Sequence, residues 1–147
     1  MLERIKRFLS AEAGELRDDA AALHLAAAVL LVQVARADQT YDDAEIERIR
    51  DLLAREWSLD DDELDQLIAA ARKLAEREVS LHEQINQINA NFSPQQKFDL
   101  VRALWSVACA DGRIHRHEEL LVRRLADLIY VSHTDFIRAK HLALDQT

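Results

Sequence analysis

The sequence repeats itself at one constant offset along the chain, and this duplication constrains the fold more than any other feature. At this offset residues 34–38 align with residues 107–111, and Glu45 aligns with Glu118. Each copy has the pattern of an Ala-rich apolar helix, a short loop that opens with Asp, and an amphipathic helix with Glu in its first turn. We therefore predict two similar helix–loop–helix units that pack face to face with approximate twofold symmetry.

Helical periodicity extends over almost the whole chain. The repeat units cover about residues 20–71 and 94–143, and residues 2–10 are predicted to form a short amphipathic helix. No alternating run of β-branched residues indicates a strand. The chain has only 2 Gly and 1 Pro, too few for the turns of an all-β or Rossmann-type fold. The predicted fold class is all-α, a compact multi-helix bundle in which residues 1–147 form a single domain.

Capping residues indicate where several helices begin. Ser93 followed by Pro94 is typical of an N-cap and a first helical position. Asp42 with Glu45 three residues later is typical of a capping box. Ser58 is predicted to cap the next helix, whose first turn holds the acidic residues 60–63.

The duplicated motif resembles the TerB family, the tellurite-resistance-associated helical domain that is also related to the N-terminal region of DjlA-type co-chaperones. The motif is Ala-Asp-Gly, a short spacer and Glu. It occupies residues 110–118, and a variant with Gln39 in place of the usual glycine occupies residues 37–45. The resemblance extends over about residues 20–144. It implies a helical bundle, a bacterial cytoplasmic setting, no established enzyme activity, and a link to stress or tellurite resistance.

The resemblance also implies a metal-binding cluster of paired acidic residues, and the flanking loop residues add two further oxygen or nitrogen ligands. The candidate metal ligands are Asp38, Asp42, Glu45, Asp111, His115 and Glu118. Their carboxylates suit Ca²⁺, Mg²⁺ or Mn²⁺, whereas His115 would shift the preference toward Mn²⁺ or Zn²⁺. A structural interpretation stays open beside this one, because Glu in a first turn caps a helix and Asp stabilises turns.

Charge and cysteine content restrict the partners. The net charge of -8 argues against nucleic-acid binding and is compatible with cations or basic protein partners. No apolar run approaches the length of a membrane span, so stable membrane insertion is not expected. Cys109 is the only cysteine, which excludes an intrachain disulfide, and the cytoplasm is the predicted compartment. A protein partner is expected, and a homodimer is one possible state.

Three functions are compatible with this pattern. We predict a non-enzymatic interaction or sensor module, in which a divalent cation at the duplicated acidic loops adjusts a partner-binding surface. The alternative is a metal-free scaffold or adaptor domain, in which the same residues only hold the loops. A metal-dependent hydrolase is less favoured, because it requires a concave pocket and an acid with a perturbed pKa.

Overall fold

The computed structural model of the chain describes residues 20–36, 43–77 and 81–145. In these ranges all regular structure is helical, which confirms the predicted fold class. The helices are α1 (Ala20–Ala35), α2 (Asp43–Trp57), α3 (Asp61–Glu76), α4 (His82–Asn91), α5 (Pro94–Ala108), α6 (Arg116–Leu128) and α7 (His133–Asp145). The helix predicted over residues 2–10 lies outside the described residues.

Helix α1 forms the centre of the bundle. Residues 25–32 are consecutive apolar residues, and none is more than 2% exposed. A helix that is apolar on every side is stable only when neighbours cover all of its faces. Helix α1 accordingly packs against α2, α3, α4, α5 and α6.

The packing of the second half of the bundle mirrors that of the first. Helix α1 packs on α3 as α5 packs on α7, and α2 contacts α5 as α6 contacts α1. Helices α2 and α6 begin at equivalent positions of the repeat, Asp43 and Arg116. Helices α1 and α5 end at equivalent positions, Ala35 and Ala108. The matching helix contacts within and between the two halves fit an approximate twofold relation between α1–α3 and α5–α7.

An aromatic contact between the first and second helices recurs in the two halves. The ring of His24 stacks on Trp57 with centroids 4.0 Å apart. At the equivalent positions of the second half, Lys97 Nζ lies 5.6 Å from the ring centroid of Tyr130. Both pairs join the first two turns of a first helix to the end of a second helix in the same half.

The start of α5 is the one that its sequence predicts. The Ser93 hydroxyl accepts a hydrogen bond from the Gln96 N–H at 3.1 Å, and the Gln96 side chain accepts one from the Ser93 N–H at 2.8 Å. Pro94 occupies the first helical position. The prediction of Ser93 as N-cap is therefore confirmed.

The start of α3 differs from the prediction, because Asp60 is the N-cap and Ser58 is not. The Asp60 carboxylate accepts a hydrogen bond from the Glu63 N–H at 2.8 Å, and Glu63 completes a capping box. Ser58 instead follows the end of α2 and adopts a left-handed backbone with φ 52°. It therefore lies at the end of the preceding helix rather than at the start of the next.

Two substitutions of the α5 N-cap residue distinguish the stability that comes from its side-chain hydrogen bond from the stability that comes from its backbone conformation. We expect Ser93→Ala to lower the free energy of unfolding by about 1 kcal/mol, whereas Ser93→Gly should cost only a few tenths. Urea denaturation followed by circular dichroism measures both changes. Equal losses for the two variants would contradict the assignment of the cap.

Candidate functional site

The two glutamates that the repeat aligns meet in the interior. Glu45 is the third residue of α2 and Glu118 is the third residue of α6, and each is only 3% exposed. Their side chains interact directly. Helices α2 and α6 therefore bring one carboxyl group from each half to a common buried position.

Burial has the largest effect on the pKa of Glu118. Desolvation raises the pKa of Glu118 above its ordinary value, and the opposing effects of the Glu45 side chain and of His115 only partly offset it. Both oxygens of the Glu118 carboxylate are buried away from solvent. A buried carboxylate in this state is costly unless a proton or a cation neutralises it.

The loop before α6 brings two more of the predicted ligands near Glu118. Asp111 accepts a hydrogen bond from the Arg113 N–H at 3.0 Å, and its other oxygen lies 3.3 Å from His115 Nε2. Between them, Gly112 has φ 88°, a backbone conformation that favours glycine. Both Asp111 and His115 influence the pKa of Glu118 through their charges. Asp111 therefore has the turn-stabilising contact of the structural interpretation and is also close to the buried pair.

A neighbouring polar contact was not predicted from the sequence. Arg48 donates a hydrogen bond to the Ser106 hydroxyl at 2.9 Å, which links α2 to α5. Next to it, burial raises the pKa of the Cys109 thiol, and the positive charge of Arg48 opposes this effect. A protonated, buried thiol of this kind is a poor nucleophile.

The described part of the site is smaller than the predicted one. Asp38 and Asp42 lie outside the described residues. Within the described ranges, no group of three or more His, Cys, Asp or Glu residues is arranged to hold a metal ion. The metal site of six residues therefore stays a prediction, for which the structure supplies the Glu45–Glu118 pair and the neighbouring contact between Asp111 and His115.

The family comparison covers the part of the chain that contains these residues. The family model of tellurite resistance protein TerB matches residues 24–141, which include the buried glutamate pair and the loop before α6. The chain belongs to the TerB family. No curated protein and no solved structure matched this TerB domain. In the described part of the chain, no helix is long and apolar enough to cross a membrane.

The raised pKa of Glu118 predicts a specific pH dependence for the metal-free TerB domain. Because the folded state holds this proton more tightly than the unfolded state, the contribution to stability is largest at low pH. It is lost as the pH rises above the ordinary glutamate pKa of 4.5 and through the raised pKa of the folded state. We expect Glu118→Gln to remove this dependence and to stabilise the protein at neutral pH by about 1–3 kcal/mol.

The measurement is denaturant unfolding of both proteins, without metal, across the acid-to-neutral range. Glu119→Gln is the matched control, because its carboxylate reaches the surface and contacts Lys140. If the unfolding free energies of Glu118→Gln and the parent keep a constant difference at every pH, the assignment is wrong.

Proposed function

We propose that this TerB domain is a non-enzymatic interaction or sensor module, in which one divalent cation bound between the two repeat units controls a partner-binding surface. The observation that carries the proposal is the direct contact of two buried carboxyl groups, Glu45 and Glu118, one from each unit. Neutralising them with a cation would replace a desolvation cost with an attraction.

The ligand chemistry supports a hard cation. The Glu45 and Glu118 carboxylates, with Asp111 beside them, supply the oxygen atoms that Ca²⁺, Mg²⁺ and Mn²⁺ prefer. Asp38 and Asp42 of the first loop would complete the ligand set, and coordination by His115 would favour Mn²⁺ or Zn²⁺. Because Glu45 and Glu118 interact directly, we propose one shared site and not one site in each unit.

A shared cation would act as a switch through the arrangement of the helices. Glu45 lies at the start of α2 and Glu118 at the start of α6, so a bound ion would tie these two helix ends together. Any surface whose shape depends on the relative position of the units would then differ between the ion-bound and the ion-free domain. A partner could distinguish these two states. The family name supports a role in tellurite resistance or a related stress response, which we place in the bacterial cytoplasm.

The second candidate is a metal-free adaptor. The hydrogen bond that Asp111 accepts from Arg113 gives this residue a structural role without any ion. In this case the buried glutamate pair would be neutralised by a proton, and the domain would bind its partner in a single state.

Calorimetric titration of the chelator-treated protein with Ca²⁺, Mg²⁺, Mn²⁺ and Zn²⁺ tests the proposal. We expect saturable binding of at least one ion, close to one per chain, because the two units share the site. Glu45→Gln and Glu118→Gln should each abolish binding. Glu119→Gln should bind normally, since its side chain contacts Lys140 at the surface.

Three outcomes would contradict the proposal of one shared metal site. Flat titrations with all four ions would favour the metal-free adaptor, particularly if both glutamine variants remain folded and more stable than the parent. Binding that survives both substitutions would place the ion away from the buried pair. Two ions per chain would contradict the shared site and favour one site in each repeat unit.

A further inference from the structure

An open groove of about 320 Å³ lies between α2 and α3. Its apolar lining comes from Ile46, Ile68 and Ala69. Charged residues also line this α2/α3 groove, and they are Glu47, Arg50, Asp65 and Arg72. The groove therefore has room for aliphatic side chains and has charges with which to position them.

The twofold-related position on the other half of the molecule is the contact between α6 and α7. Helix α6 corresponds to α2 at the offset of the sequence repeat. Helix α7 corresponds to α3 at an offset one residue shorter, because we align these two helices from their first residues. In this alignment, Ile46 and Ile68 of the groove correspond to Glu119 and Lys140. Lys140 Nζ and a Glu119 carboxylate oxygen form an ion pair at 3.4 Å. An apolar lining in one half is thus replaced by a salt bridge in the other.

Three of the four charged positions of the groove are apolar in the other half. Glu47, Asp65 and Arg72 correspond to Leu120, Ile137 and Leu144. These three apolar residues are 55%, 36% and 38% exposed, and we call them the apolar ridge. Ile137 and Leu144 are two turns apart on α7 on either side of Lys140, whose partner Glu119 precedes Leu120. The apolar ridge therefore runs along the line where α6 and α7 meet.

Two exposed charged residues, one beside the ridge and one beside the groove, indicate which partner would occupy the groove. Arg50 of the groove is paired with Asp61 and Asp65. Its counterpart on the ridge side, Arg123, is exposed and forms no ion pair within the described residues. Glu47 at the groove is also exposed and forms none with any described residue. One chain therefore has a positively charged side chain beside the ridge and a negatively charged side chain beside the groove.

The overall charge of the two surfaces agrees with this difference. Helices α2 and α3 together contain ten acidic and five basic residues, so their formal charge is −5. Helices α6 and α7 contain five of each, so theirs is zero, not counting histidine. Two α2/α3 surfaces would repel each other, whereas an α6/α7 surface can approach an α2/α3 surface without that repulsion.

We propose that the apolar ridge of one chain docks in the α2/α3 groove of a second copy, with Arg123 of the first facing Glu47 of the second. The contact is head to tail, because it joins two different surfaces. Each bound pair leaves one ridge and one groove exposed, so association continues to a ring or an open chain of subunits. This inference is independent of metal binding.

Sedimentation velocity of the full chain over a wide concentration range tests the proposal. We expect the wild-type mass to rise beyond that of a dimer. Leu120→Glu should disable the ridge and Ala69→Arg should fill the groove, so each variant alone should sediment as a monomer. Mixed together, they should form a one-to-one complex and nothing larger, because one retains the groove and the other retains the ridge.

Leu128→Glu is the matched control, because Leu128 is another exposed leucine of α6 that lies outside the ridge. It should associate as the wild type does. A charge exchange supplies a second test that leaves the apolar residues intact. Arg123→Glu or Glu47→Arg alone should weaken association at least several-fold, and the double variant should recover it. Circular dichroism verifies that every variant keeps its helical content.

Three results would overturn the head-to-tail contact. Wild-type protein that stays monomeric at every concentration would do so. A dimer that Leu120→Glu abolishes but Ala69→Arg leaves intact would indicate a symmetric contact between two ridges. A mixture of the two variants that remains entirely monomeric would show that ridge and groove do not bind each other.

Discussion

The burial of α1 is the constraint on which the rest of the structure depends. Because residues 25–32 are apolar on every side, the helix is stable only when other helices surround it completely. Its own unit supplies α2 and α3, and the remaining faces are covered by α4, α5 and α6. The first unit therefore cannot bury its central helix alone, and the second half of the chain is required for the core of the first.

This mutual covering also determines where the acidic residues lie. With α2 against α5 and α6 against α1, the first turns of α2 and α6 come together, and Glu45 and Glu118 come with them. The positive ends of two helix dipoles favour negative charge there, while the loss of solvent opposes it. Desolvation is the larger effect, since the pKa of Glu118 is raised. The pair is thus suited to take up positive charge, as a proton or as a cation.

The sequence was informative wherever a local rule decides the structure. Helical periodicity predicted the fold class, and the Ser93 cap followed from its own neighbours. The prediction for Ser58 was wrong because two residues later Asp60 and Glu63 form a reciprocal capping box, which a single serine hydroxyl does not match. The contact of Arg48 with Ser106 was not predictable, because helical periodicity identifies the face of α2 but not the residue of α5 that lies opposite it. The repeat equated Glu45 with Glu118, yet the equivalence of two residues does not by itself imply that they touch.

The two halves contain corresponding helices but differ in chemistry at the positions that the sequence repeat aligns. In one half His24 stacks on a tryptophan, whereas in the other a lysine lies near Tyr130, whose ring is exposed and whose backbone is left-handed. The helix contacts that cover α1 and α5 tolerate such differences, because they depend on buried apolar residues and not on the outer faces of α2, α3, α6 and α7. The buried core and the glutamate pair therefore join the two halves, while the outer faces of these helices differ in charge and polarity. One chain can therefore carry two surfaces that are complementary to each other, because the residues on the outer face of one half need not recur on the outer face of the other.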